Sequence, residues 1–161
     1  MTSSIIAPAA SPAVPSAAAQ MDACHRGVPP ARGPAYVPST SWCPPNDPTG
    51  PALSRRHARE LLDMWGVVGG VDDAVLVVCE FVTNAVRAGA SYIAVHVRLR
   101  GDLVRVEVHD SAGGLPTAGA AEVDASSGRG LAIVASLAHS WGWFETPAPA
   151  AKCVWAEIPV R

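Results

Sequence analysis

Glu80-Phe81-Val82-Thr83-Asn84 is a polar step inside a run that is otherwise apolar from Ala74 to Val86, and its reading decides the fold. At about 100° per residue, Val71, Val75, Val78, Val82 and Ala85 fall on one stripe, with Glu80, Thr83, Asn84 and Arg87 on the opposite side. That stripe predicts an amphipathic helix in which Glu80 and Asn84 stand one turn apart. A carboxylate takes a proton or orients a water, and an amide oxygen beside it holds a hard cation without adding charge. A solvated polar face accounts for the same residues. The glycine clusters further along the chain decide between the two.

Downstream, Gly89 closes the helix and the period switches to two. Ile93, Val95, Val97 and Leu99 point one way, while Ala94, His96, Arg98 and Arg100 point the other. Gly101-Asp102 makes a tight turn, and Val104, Val106 and Val108 answer with the same alternation, which predicts an antiparallel hairpin with one buried face. His96 and His109 fall on its polar face, where a solvated role is expected rather than a metal site. The second strand runs into His109-Asp110-Ser111-Ala112-Gly113-Gly114-Leu115-Pro116. An Asp at the mouth of a strand, followed by small residues, suits recognition of a base edge, although an ordinary glycine turn has the same composition. Gly128-Arg129-Gly130-Leu131 then opens an apolar helix, and glycines at a helix N-terminus leave backbone N–H groups free for phosphate. Trp141 to Phe144 and Lys152 to Ile158 close the chain as a hairpin around Pro147 to Ala150.

Upstream, Gly69-Gly70 breaks the chain, and Asp72 or its neighbour caps the central helix. Before it, Leu53, His57, Leu61 and Met64 or Trp65 recur at helical spacing, with Asp47 or Thr49 as cap, Pro51 in the first turn and Gly66 as the stop. His57 in this helix reads as a surface or packing residue. Tyr36 to Cys43 has β character and ends at Pro44-Pro45, as an edge strand does. Residues 1–35 are rich in Ala, Pro and Ser with few large apolar side chains, so a disordered tail is expected ahead of one folded domain over 36–161.

Composition narrows the function classes. No apolar run approaches the ~20 residues of a membrane span, although hydrophobic residues make up 49% of the chain and mean hydropathy is +0.21. Net charge is −2 and the 12 basic residues are scattered, which argues against a nucleic-acid surface. Lys152 is the sole lysine and follows no glycine-rich run, so there is no P-loop. Cys24, Cys43, Cys79 and Cys153 lack both C-x-x-C and zinc spacing, and no secretory signal opens the chain; a reduced, cytoplasmic protein is expected.

With these pieces in order, the sequence resembles the GHKL superfamily, the ATP-binding fold of sensor histidine kinases, type II topoisomerases and anti-sigma-factor serine kinases. Glu80-Phe81-Val82-Thr83-Asn84-Ala85 looks like its N box, Asp110 to Gly114 like its first glycine box, and Gly128 to Leu131 like its second. The Gly128 to Val134 string and the ending Lys152-Cys153-Val154-Trp155 are most similar to small stand-alone bacterial relatives of anti-sigma-factor kinases. The resemblance implies a two-layer α/β sandwich, with helices covering one face of a mixed, mainly antiparallel sheet. It implies ATP and Mg²⁺ as ligands, Asn84 as the metal residue and Glu80 as base or water-orienting residue. Asp110 would accept from the adenine amino group, Gly114 would line the adenine pocket, and Gly128, Arg129 and Gly130 would border the phosphates. Ala112 stands where the family places the first glycine of its box. Ala151 and Cys153 stand where many relatives carry Gly and Thr, so a weak thiol is expected in place of a hydroxyl in the adenine network.

The activity implied is a regulatory serine/threonine protein kinase acting on a partner regulator, an anti-sigma-factor antagonist or a sigma factor, with a homodimer also compatible. An ATP-responsive protein-binding module without phosphotransfer is the alternative.

Overall fold

The computed structural model describes residues 37–114 and 129–161. The expected tail, the span between the two glycine clusters and Gly128 lie outside the described residues. The elements of the described residues follow in the order β1 (Ser39–Trp42), α1 (Gly50–Met64), α2 (Val71–Arg87), β2 (Ile93–Arg100), β3 (Leu103–Asp110), α3 (Arg129–Leu137), β4 (Ser140–Glu145) and β5 (Lys152–Pro159). The five strands form one sheet in the order β1-β2-β3-β5-β4, and all four pairings are antiparallel. The helices pack on one face, so the expected α/β sandwich is the observed fold.

The central helix α2 forms where the apolar stripe placed it. All five stripe residues are 8% exposed or less, and Glu80, Thr83 and Asn84 are half-buried. Ala74, Val77 and Phe81 are buried as well, because α1 packs along one flank of α2 while β2, β3 and β5 meet another. The cap expected at Asp72 or its neighbour falls instead on Gly70, at φ 79° and without a side-chain hydrogen bond. Asp72 and Asp73 occupy the first turn and Arg87 the last, matching the helix dipole at both ends. A side chain at Gly70 would overlap the Pro159 carbonyl oxygen and stand 3.2 Å from Val160 Cα, so α2 begins pressed against the end of β5.

At α1, Thr49 is the N-cap residue, but its hydroxyl does not cap. Asp47 Oδ1 accepts from the Thr49 N–H at 2.8 Å and from its hydroxyl at 2.5 Å, bracing the turn instead.

On the helix-facing side of the sheet, Val95, Val97, Val104, Val106, Val108, Ala156 and Ile158 are each 1% exposed or less. Each fully buried valine contributes about 1.5–3 kcal/mol, so a one-residue slip, which would turn this row outward, is strongly excluded. The other side carries an ionic and aromatic array. Glu107 Oε1 accepts from Arg98 and Arg105 at 2.7 Å each, Arg105 reaches Glu157 at 3.1 Å, and its guanidinium lies 4.2 Å from the centre of the Trp155 ring.

The histidines expected to be solvated on this face are half-buried instead. His96 and His109 stack edge to face at 5.0 Å, and His109 meets Phe144 at 6.4 Å. Burial, with His109 adding to it, pushes His96 down to about 4, and burial lowers His109 too. Strand order contributes to this: His109, Cys153 and Phe144 form one row across β3, β5 and β4, which covers the imidazoles in part.

Candidate functional site

The polar step of α2 meets the start of α3. A Cβ at Gly130 would stand 2.6 Å from Glu80 Oε2, 3.4 Å from Asn84 Nδ2 and 3.6 Å from Asn84 Oδ1. Gly130 is buried, and only its hydrogen leaves room for the carboxylate and the amide. Glu80, Asn84 and Gly130 are therefore brought together from positions about fifty residues apart. Arg129 is the first residue of α3, so the free N–H groups of that helix start beside this pair, where they favour an anion.

Asp110 is the last residue of β3 and points to the helix-facing side, only 3% exposed. A carboxylate that deep needs partners. Its Oδ1 accepts from the Ala112 N–H at 2.9 Å and from Lys152 Nζ at 2.8 Å, and Nζ donates again to the Ala112 carbonyl at 2.6 Å. Gly114 is exposed at φ 91°, a conformation suited to glycine, and ends the described part of this loop. Ala112 is 4% exposed, and its methyl group joins the hydrophobic core.

The thiol expected in the Asp110 network is elsewhere. Asp110 is paired with Lys152 in the β3–β5 register, and Cys153 with His109. Successive strand residues point to opposite faces, so Cys153 lies on the far side of the sheet from Asp110. Its Sγ donates to the Val154 carbonyl at 3.8 Å, and burial, reinforced by Glu107, pushes the thiol up to about 12. Lys152 takes the place instead, and it was not among the site residues read from the sequence. Its signal was present: Lys152, Val154, Ala156 and Ile158 share one parity, which places the lysine in the helix-facing row.

His57 packs on Trp42 with ring centres 4.6 Å apart, as expected of a packing residue. Cys79 and Cys153 are buried cysteines outside any disulfide. Among the described residues, no group of three or more His, Cys, Asp or Glu could hold a metal ion, and no helix is long and apolar enough to cross a membrane. A cleft of about 500 Å³ opens beside Arg59, Asp63, Val68 and Asp72, and neither Glu80 nor Asp110 lines it.

The fold thus holds two polar groups: a carboxylate and amide under a helix start, and a buried carboxylate with its lysine on the sheet. Residues 45–158, which contain both, match the family model of the histidine kinase-like ATPase domain. No curated protein matches the chain.

Proposed function

This chain belongs to the histidine kinase-like ATPase domain family, and from that premise we propose that it is a Mg-ATP-binding regulatory protein, a serine/threonine protein kinase of the anti-sigma-factor type acting on a partner regulator. The observation that carries this reading is the convergence of Glu80 and Asn84 on Gly130, with the N–H groups of the α3 start alongside.

The residues fit the ligand in kind. The missing side chain at Gly130 is a cradle that a Cβ would fill. One amide oxygen without a carboxylate cluster suits Mg²⁺, which keeps several waters and takes phosphate oxygens as its other ligands. In this reading Asn84 Oδ1 would hold the metal, Gly128, Arg129 and Gly130 would border the phosphates, and Asp110 would accept from the adenine amino group near Gly114. When bound, Mg-ATP supplies the γ-phosphoryl group. Glu80 would take the proton of the acceptor hydroxyl while that hydroxyl oxygen bonds to the γ-phosphorus and the bond to ADP breaks.

The test is transfer of label from γ-labelled ATP to a candidate partner carrying an acceptor serine or threonine, run beside nucleotide binding. Glu80→Ala is expected to bind ATP while losing ~10²–10⁴-fold in transfer, since a base acts mainly in the transition state. Asn84→Ala is expected to lose the metal-dependent part of binding as well. If wild type binds Mg-ATP and its partner yet transfers nothing, the kinase assignment fails and the ATP-responsive binding module replaces it.

A further inference from the structure

The ammonium of Lys152 is 11% exposed at its side chain and the carboxylate of Asp110 is 4% exposed. An ammonium has three donors, and two of them are engaged, with Asp110 Oδ1 and with the Ala112 carbonyl. Oδ1 also takes the Ala112 N–H, while Oδ2 accepts no hydrogen bond among the described residues. Two nearly dry groups of opposite kind are therefore left side by side, each with unused capacity: a charged donor on β5 and a charged acceptor on β3.

We propose that Lys152 is a base-reading residue, donating to the N1 ring nitrogen of adenine while Asp110 accepts from the neighbouring amino group. The assignment rests on the nucleotide reading above and adds to it a residue that selects the base. Adenine presents an amino donor and a ring-nitrogen acceptor on adjacent atoms, the complement of this acceptor and donor. Guanine presents a carbonyl oxygen and a ring N–H in the reverse order. With both bonds of Oδ1 fixing the carboxylate, the order of the pair is set by the sheet. If Lys152 were only a counter-charge for Asp110, ligands with and without N1 would bind alike.

The experiment is calorimetric binding of ATP, 1-deaza-ATP and GTP, each with Mg²⁺, to the full chain and to Lys152→Met. In 1-deaza-ATP a C–H replaces N1 and the amino group is kept. Wild type is expected to bind it roughly ten- to a hundredfold more weakly than ATP, the loss typical of a hydrogen bond to a charged group. Lys152→Met is expected to bind the two alike. Equal binding of ATP and 1-deaza-ATP by wild type overturns the inference and leaves the nucleotide reading standing, as does a Lys152→Met variant that still discriminates. GTP binding to wild type as tightly as ATP overturns the adenine assignment. No binding of ATP by wild type removes the nucleotide reading and this inference with it. Should Lys152→Met not fold, the wild-type comparison of ATP with 1-deaza-ATP decides alone.

Discussion

Gly70→Ala separates two costs that the fold imposes at one residue. The first is conformational: at φ 79° the backbone is left-handed, which costs an L-residue about 1–2 kcal/mol. The second is steric. The new methyl group would overlap the Pro159 carbonyl oxygen and crowd Val160, both on backbone that the sheet holds in place, and overpacking of this kind costs typically ~1–3 kcal/mol. Gly101→Ala is the control, because Gly101 has φ 61° and nothing within 4 Å of a Cβ, so only the first cost applies. The gain from a stiffer unfolded chain, about 0.4–1 kcal/mol, is common to both variants and cancels in the comparison. Urea unfolding, with the midpoint and slope fitted for each variant, is expected to place Gly70→Ala roughly 1–3 kcal/mol below Gly101→Ala at unchanged slope. Equal loss in the two variants would refute the contact between the start of α2 and the end of β5.

Gly130→Ala tests the other close approach: its methyl pushes on the mobile end of Glu80, so the melting temperature should stay within a few degrees while the Mg-ATP-induced rise in that temperature shrinks. A full rise in the variant would count against Glu80 and Gly130 sharing a ligand. The half-buried imidazoles predict a pH dependence. His96 binds its proton at about 4 in the fold and at 6.5 ordinarily, so the unfolded chain protonates first and the stability contributed by neutral His96 is lost as pH falls from 6.5 toward 4. The unfolding free energy between pH 7 and 5 should fall with a slope approaching ~1.4 kcal/mol per unit from His96, and His96→Gln should reduce the slope, with His109, also lowered, carrying what is left. That window lies above the one in which Glu107 titrates; although burial raises Glu107, Arg105 and Arg98 hold it below its ordinary value. Cys153, pushed up to about 12, should resist alkylation at pH 8 in the native protein and react once unfolded, as peptide mapping by mass spectrometry will show.

The fold was legible because local periods carried it. The alternation through Ile93 to Val108, the stripe from Val71 to Ala85 and the glycines at 66, 70, 89 and 101 act over neighbouring residues, and each element formed close to its expected place. The motif strings pointed to Glu80, Asn84, Asp110 and Gly130, and the structure brings three of these four together. What escaped depended on contacts between distant strands. Asp110 and Lys152 face each other only because β5 inserts between β3 and β4, and no local spacing fixes that register. The same insertion sets Phe144 near His109, which helps to leave two histidines on a nominally polar face half-buried. The cap at Gly70 was missed for another reason: Asp72 has a capping side chain, but the close approach of Pro159 demands glycine at the turn.

The Asp110 backbone is tied on both sides. Its carbonyl oxygen accepts from the Ala151 N–H at 2.7 Å, and the next amide, Ser111, donates to Tyr92 at 3.1 Å, so the end of the middle strand is clamped by both neighbours rather than frayed. Ordering there accompanies folding of the whole sheet, and a ligand arriving at the carboxylate meets a group already immobilised. Amide hydrogens at 111 and 151 should consequently exchange with solvent only on global opening, at rates like those of mid-strand valines. Whatever binds at Asp110 would change those rates by stabilising the entire domain rather than by tightening a loop.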